Sequence, residues 1–227
     1  MKDLSNPAVA FPRQALRAAL LGVGFLLAST WLPIQAKAAD VTIPRAARQY
    51  RATLVRAAHA SWGLDAPVSV FAAQVHTESW WRNETVSHVG AQGLAQFMPA
   101  TARWLPSVAP ETGRPAPFNP GWSLRALCVY DKWLWDRTNG ANAFERMAFT
   151  LSAYNGGLGW VNRDKAKARR QGADARRWFG AVETVNAGRS AAAWKENRQY
   201  PRRILKERQH TYIKAGWGPG VTEGGRP

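Results

Sequence analysis

Cysteine is nearly absent from this chain, and acidic side chains are about half as many as basic ones. A single cysteine, Cys128, stands among 227 residues, which excludes an intrachain disulfide and a cysteine-rich zinc site. Fold stability must therefore come from packing. The four histidines, His59, His76, His88 and His210, show no His-Glu-x-x-His spacing, and His76-Thr77-Glu78 lacks the Pro-Cys-x-x-Cys partner of zinc deaminases. No metal or other cofactor is expected. Gly-x-Ser-x-Gly and phosphate-loop motifs are missing as well. The chain has no internal repeat and no alternating run long enough to demand a sheet. After residue 38 it has no segment apolar enough to cross a bilayer.

What is present is apolar and basic. Hydrophobic residues make up 46% of the chain, with 12 Trp, which fits a globular protein with one well-filled core. Lys and Arg number 31 against 15 Asp and Glu, a formal net charge of +16. Residues 1–38 read as an export signal. Lys2, Arg13 and Arg17 precede an apolar stretch from Ala18 to Leu32, and Ala36-Lys37-Ala38 supplies a small-x-small cleavage pattern. An uncleaved anchor is the competing reading, but roughly 15 apolar residues fall short of the ~20 that a spanning helix needs. Cleavage removes four positive charges and one negative, so the mature chain keeps +13. No stable membrane insertion is then expected. Such a field draws polyanions. Export points to the periplasm and its cell-wall polymers, and nucleic acid is not expected as the partner.

The pattern from Thr42 onward is mainly helical, an all-α chain. Thr42 is expected to cap a helix carrying Pro44 in its first turn, with Tyr50, Leu54, Val55, Ala58 and Trp62 recurring at spacings of three and four. A second helix is predicted over residues 67–81, with Val68, Phe71, Ala72 and Val75 on one stripe. Further helices are predicted from Pro99, over 124–137, over 143–154 and over 200–212. The basic stretch 163–177 is expected as a solvated helix or loop. The domain plan is a signal peptide over 1–38, an N-terminal helix packing on the core over 39–64, a main domain over 65–212 and a flexible tail over 213–227.

Glu78 follows Phe71 by seven residues and Val75 by three, so it emerges on the apolar side of its helix. Burial there, beside Trp80 and Trp81, would raise its pKa and suit it to donate a proton at neutral pH. Nine positions on begins Ser87-His88-Val89-Gly90-Ala91-Gln92-Gly93-Leu94-Ala95-Gln96-Phe97-Met98-Pro99-Ala100-Thr101. Gly90, Ala91 and Gly93 allow a close approach without side-chain bulk. Gln96 can hydrogen-bond sugar hydroxyl or acetamido groups, and Met98 is an adaptable contact for a sugar face.

Glu78-Ser79, the run Ser87 to Thr101, and Ala153-Tyr154-Asn155-Gly156-Gly157 together resemble the catalytic domain of the Slt-type lytic transglycosylases. Their family pattern is Glu-Ser, then Ser-x-x-Gly-Ala-x-Gly-Leu-x-Gln-x-Met-Pro-x-Thr, then Ala-Tyr-Asn-x-Gly. A weaker last element, Glu196-Asn197-Arg198-Gln199-Tyr200-Pro201, is similar to the family's Glu-Thr-Arg-x-Tyr-Val, from which Asn197 and Pro201 depart. Ala95 and Phe97 stand where Met and an aliphatic residue are common. The resemblance spans roughly residues 65–210.

It implies a lysozyme-like fold and cleavage of the β-1,4 bond between N-acetylmuramic acid and N-acetylglucosamine in peptidoglycan glycan strands. Glu78 would be the single catalytic residue, acid and then base, closing a 1,6-anhydro ring. Ser87, Gln96, Met98, Tyr154, Asn155, Glu196 and Tyr200 would line or support the groove. Ser87 would brace the acetamido group or Glu78, and Tyr154 would bond near the acid. Two alternatives stay open: a goose-type lysozyme-like hydrolase, and an inactive peptidoglycan-binding scaffold. Small relatives of this kind accompany envelope-spanning secretion or conjugation machinery, which is the partner the resemblance suggests.

Overall fold

Helices account for every regular element among residues 42–224, the residues that the computed structural model describes. The export signal expected over residues 1–38 lies outside them. No strand occurs among the described residues, only two isolated antiparallel bridges that join Val86 to Gln92 and Gln92 to Phe97. The expected all-α architecture is the one observed.

Helix α1, Ala47–Trp62, starts later than its sequence signals suggest. Thr42 and Pro44 precede it, and Ala46 occupies the capping position without a side-chain bond. Leu54, Ala57 and Ala58 on its buried face lie along α4, Pro120–Arg137. Trp62 fastens the pair, donating its indole N–H to the Cys128 carbonyl at 2.8 Å. The lone cysteine is thus a buried packing residue.

Helix α2, Val68–Ser79, is central. Every residue from Val68 to His76 is buried, so small side chains such as Ala72 and Ala73 let neighbours close in on all sides. It stops at Ser79, two residues short of the expected end, because Trp80 and Trp81 both adopt left-handed backbone angles, φ 54° and 62°. Bulky side chains resist that region at about 1–3 kcal/mol each. Trp81 is held there by full burial and by an indole hydrogen bond of 2.7 Å to the Tyr212 hydroxyl.

The remaining helices are α3 (Pro99–Trp104), α5 (Ala143–Gly156), α6 (Leu158–Arg170), α7 (Ala191–Pro201) and α8 (Gln209–Lys214). Asn119, Asn142 and Ser190 cap α4, α5 and α7, each accepting a first-turn N–H. A π-helical stretch, Arg202–Arg208, joins α7 to α8. It begins after Pro201, where the ring removes an N–H and crowds the preceding turn, and the wider winding accommodates both.

Residues 213–227 were expected as a flexible tail. Those described from that segment dock instead. Trp217 is buried against Trp81 and Tyr212. The Pro219 carbonyl accepts the Ser69 N–H at 2.9 Å, and Val221 exchanges two hydrogen bonds with the Gln209 side chain. The segment's Gly and Pro content signals a turn, and Trp217, set among those residues, supplies the anchor.

Candidate active site

Glu78 lies on the last turn of α2, half-buried, at the base of a cavity of about 410 Å³. All eight residues singled out from the sequence, Glu78, Ser87, Gln96, Met98, Tyr154, Asn155, Glu196 and Tyr200, line that one cavity. They come from α2, the 85–98 loop, α5 and α7.

The carboxyl of Glu78 accepts a short hydrogen bond from the Tyr200 hydroxyl. Its pKa is raised from 4.5 to about 8. Loss of hydration is the main cause. The Tyr200 bond pulls the other way, and the nearby Glu196 charge adds to the rise. The side chain therefore holds its proton at neutral pH. Glu196 is exposed and takes the Asn155 amide at 3.4 Å, so it lacks the shielding that distinguishes Glu78. Behind the site, one turn back on α2, Gln74 makes a long 3.5 Å contact to the fully buried Asp131. Burial pushes the Asp131 carboxyl up as well.

Several supporting side chains act on the protein rather than facing a ligand. Ser79 donates to the Leu94 carbonyl at 2.9 Å, pinning the end of α2 to the loop. Ser87 accepts the Ala91 N–H at 2.9 Å and makes no bond to Glu78. Gln96, at φ 48°, gives both amide hydrogens to the carbonyls of Thr85 and Gly93. Only its Oε1 is left to face the cavity, fewer contacts than its sequence position suggested. Tyr154 donates to the Ala95 carbonyl at 2.7 Å, not toward the acid. The expected hydroxyl contact to Glu78 comes from Tyr200 instead.

Gly93 makes the close approach that its place in the motif suggested, but to the chain itself. A Cβ there would sit 1.9 Å from the Pro117 carbonyl oxygen. Asn197, where the family pattern has Thr, is buried and bridges α7 to α5, accepting from Ser152 Oγ and donating to the Ser152 carbonyl and Asn155 Oδ1. Sequence reasoning missed Tyr130 as a cleft wall. Helical spacing marked Tyr130 as core, and its ring does pack on Tyr154, 5.3 Å between centroids; only the fold shows that its other side is open. Among the described residues no cluster of three or more His, Cys, Asp or Glu side chains could hold a metal ion.

The arrangement provides one shielded proton donor, a hydroxyl that contacts it, and a cavity lined by amide, aromatic and thioether groups. A model of the transglycosylase SLT domain matches residues 54–179, more than half of the chain, ending before α7 and Tyr200. Among solved structures, the 70 kDa soluble lytic transglycosylase of Escherichia coli superposes with a TM-score of 0.53 at 23% identity, over 75% of this chain and 25% of that one. A complex of the 70 kDa soluble lytic transglycosylase with bulgecin A gives 0.55 at 22%, over 77% and 26%. An inactive glutamate-to-glutamine mutant of the lytic transglycosylase Slt from Pseudomonas aeruginosa gives 0.52 at 25%, over 77% and 26%. The chain thus spans about a quarter of the length of these proteins. Among curated proteins none matches it by sequence.

Proposed function

From the premise that the chain belongs to the transglycosylase SLT domain family, we propose that it is a peptidoglycan lytic transglycosylase in which Glu78 is the only catalytic carboxyl. The observation that carries this reading is the shielded, Tyr200-bonded carboxyl of Glu78, with its pKa near 8, at the base of the cleft. Protonated at neutral pH, Glu78 gives its proton to the glycosidic oxygen as the bond to the anomeric carbon breaks. The neighbouring acetamido oxygen of the substrate stabilises the charge that develops there. Glu78, now a carboxylate stabilised by the Tyr200 hydroxyl, takes the proton of the muramic acid C6 hydroxyl as that oxygen attacks the anomeric carbon. A 1,6-anhydro ring forms and the acid is restored. No second carboxylate is required. That the Pseudomonas relative is inactive as a glutamate-to-glutamine mutant supports an essential glutamate.

In this reading Gln96 Oε1, Met98, Asn155 and Glu196 contact the sugars, while Ser87 and Tyr154 hold the walls. The setting is the periplasm, with the wall strand as substrate and an envelope-spanning secretion or conjugation machine as the site of recruitment. Among the described residues no helix is long and apolar enough to cross a membrane. The decisive experiment is product analysis after digestion of purified sacculi. Anhydro-muramoyl ends are expected. Reducing ends would instead establish a hydrolase, and the absence of any product, with binding retained, would leave an inactive scaffold.

A further inference from the structure

Four acidic side chains are buried among the described residues: Asp131, Glu145, Asp164 and Glu183. Three of them are well supplied with donors. Asp164 meets the Arg189 and Arg198 guanidinium groups and the Ala187 N–H. Glu145 accepts the Trp178 and Phe179 N–H groups, and Glu183 pairs with Arg202 and accepts the Gly180 N–H. Asp131 is the exception. It is fully buried and enters no ion pair among the described residues, and its one partner is Gln74 Nε2, 3.5 Å from Oδ1.

Two acceptors are left over in the same place. Asp131 Oδ2 and Gln74 Oε1 are both buried, and neither finds a donor among the described residues. A carboxylate has no hydrogen to offer, so an ionised Asp131 would strand a charge and two oxygens in a dry interior. A carboxylic acid supplies the missing hydrogen. Its hydroxyl donates to Gln74 Oε1 while Gln74 Nε2 donates to Oδ1, and one proton satisfies both orphans. No cation offers a competing answer. The titratable groups around the carboxyl are Glu78 on α2, Cys128 and Tyr130 on α4, Tyr154 on α5 and Tyr200 on α7, all of them acids. Lys132, next in the chain, is bound to Asp136, and Arg48, Arg51 and Arg56 of α1 are exposed. Burial raises the Asp131 carboxyl in the same sense.

The location gives this pair a part in the chemistry. Gln74 precedes Glu78 by one turn on the same side of α2, and Asp131 follows Tyr130, which lines the cleft. Charges on Asp131 and Glu78 would repel each other. A second anion there would hinder the step in which Glu78 becomes a carboxylate.

We propose that Asp131 is a positioning residue, protonated throughout the cycle and closed with Gln74 into a cyclic acid–amide pair. The pair ties α4 to α2 behind Glu78 and keeps a second charge out of that space. Its effect on turnover rests on the lytic transglycosylase reading; its protonation does not.

Protonation is read from folding, by urea titration in the Glu78→Gln background, where the catalytic acid cannot titrate. Asp131→Asn closes the same ring with a fixed N–H. Unfolded Asp131 ionises above 3.8, so between pH 5 and 7 the chain with Asp131 takes up a proton to fold and the Asn variant does not. The ratio of their folding constants, Asp131 over Asn, should fall about tenfold per pH unit across that window. His76 and the other groups titrate alike in both. A ratio independent of pH means an ionised Asp131 and overturns the proposal.

Turnover is read in chains that keep Glu78. The basic limb of kcat/KM should stay in place in Asp131→Asn; a limb moved to lower pH would reveal a charge that had been holding Glu78 up, and overturns the proposal as well. Asp131→Leu, which orphans the Gln74 amide, should lower kcat about tenfold with KM held. The Asn variant should recover most of that loss. Equal kcat in the Leu and Asn variants overturns the positioning role. The folding ratio needs no substrate, so sacculi that yield no cleavage product would sink the enzymatic reading and leave the protonated pair standing.

Discussion

Tyr200 reaches Glu78 across 122 residues of chain, and its hydroxyl donates to Oε1. That bond opposes the desolvation that lifts the carboxyl, and the balance sits at about 8. Acid catalysis needs the protonated form, so kcat/KM on glycan strands should fall as pH rises through that value. Tyr200→Phe removes the one contact that lowers the pKa, and the basic limb should move to higher pH. Turnover should fall by about tenfold, the worth of a hydrogen bond to a charged group. A pH–rate profile checks both, and a limb that moved downward would contradict the assigned role.

The same pKa makes the acid a stability liability. Its folded value lies above the unfolded 4.5, so the protonated group's contribution is fully present below pH 4.5 and is lost as pH rises through about 8. At pH 7 the folded chain holds a proton that the unfolded chain has released. Glu78→Gln has no such proton to hold and can still accept from Tyr200. It should be inactive and yet more stable at pH 7, by on the order of 1–2 kcal/mol. The two proteins should converge near pH 4 in urea titrations.

Gly93 holds the cleft loop against the chain behind it. Its φ of +73° already disfavours a side chain, and a Cβ would meet the Pro117 carbonyl oxygen at 1.9 Å. Gly93→Ala should cost more than about 2 kcal/mol and loosen Gln96, whose amide bonds the Gly93 carbonyl. Gly90, with φ +86° but open space around it, should tolerate alanine better. Paired melting curves check the order.

Much of this arrangement was legible in the chain. Period-three-and-four spacing placed Glu78 on the buried side of α2, and the small-residue run from Ser87 to Thr101 marked the wall opposite. Roles within the wall were not legible. Tyr154 and Gln96 spend their polar atoms on backbone carbonyls, a choice made by tertiary distance rather than by local pattern. Tyr200 stood in the weakest motif because Asn197 and Pro201 break it. Asn197 proves to bridge α7 to α5, and Pro201 starts the π-helical stretch just past Tyr200. The left-handed pair after Ser79 had no signal either, since tryptophan carries no preference for that region.

That left-handed pair is secured through His76. Trp81 donates to the Tyr212 oxygen at 2.7 Å, and the Tyr212 hydroxyl is hydrogen-bonded in turn to His76 Nδ1, 3.1 Å away. Burial, and then the Arg208 charge, lowers the His76 pKa from 6.5 to about 4, so the ring is neutral in the fold. Its contribution is fully present above pH 6.5 and is lost as pH falls toward 4, because the unfolded chain takes up a proton there and the folded chain does not. The slope should approach 1.4 kcal/mol per pH unit at most. Above pH 4.5 the Glu78 titration runs in the opposite sense, so the measurement belongs in the Glu78→Gln background. There, His76→Asn keeps an acceptor for Tyr212 but cannot titrate. Its stability should be lower at pH 7.5, and the difference from the parent should shrink between pH 6.5 and 4, since the raised Asp131 carboxyl titrates alike in both proteins. Parallel curves for the two proteins would show that the acid sensitivity lies elsewhere and that His76 only fills space.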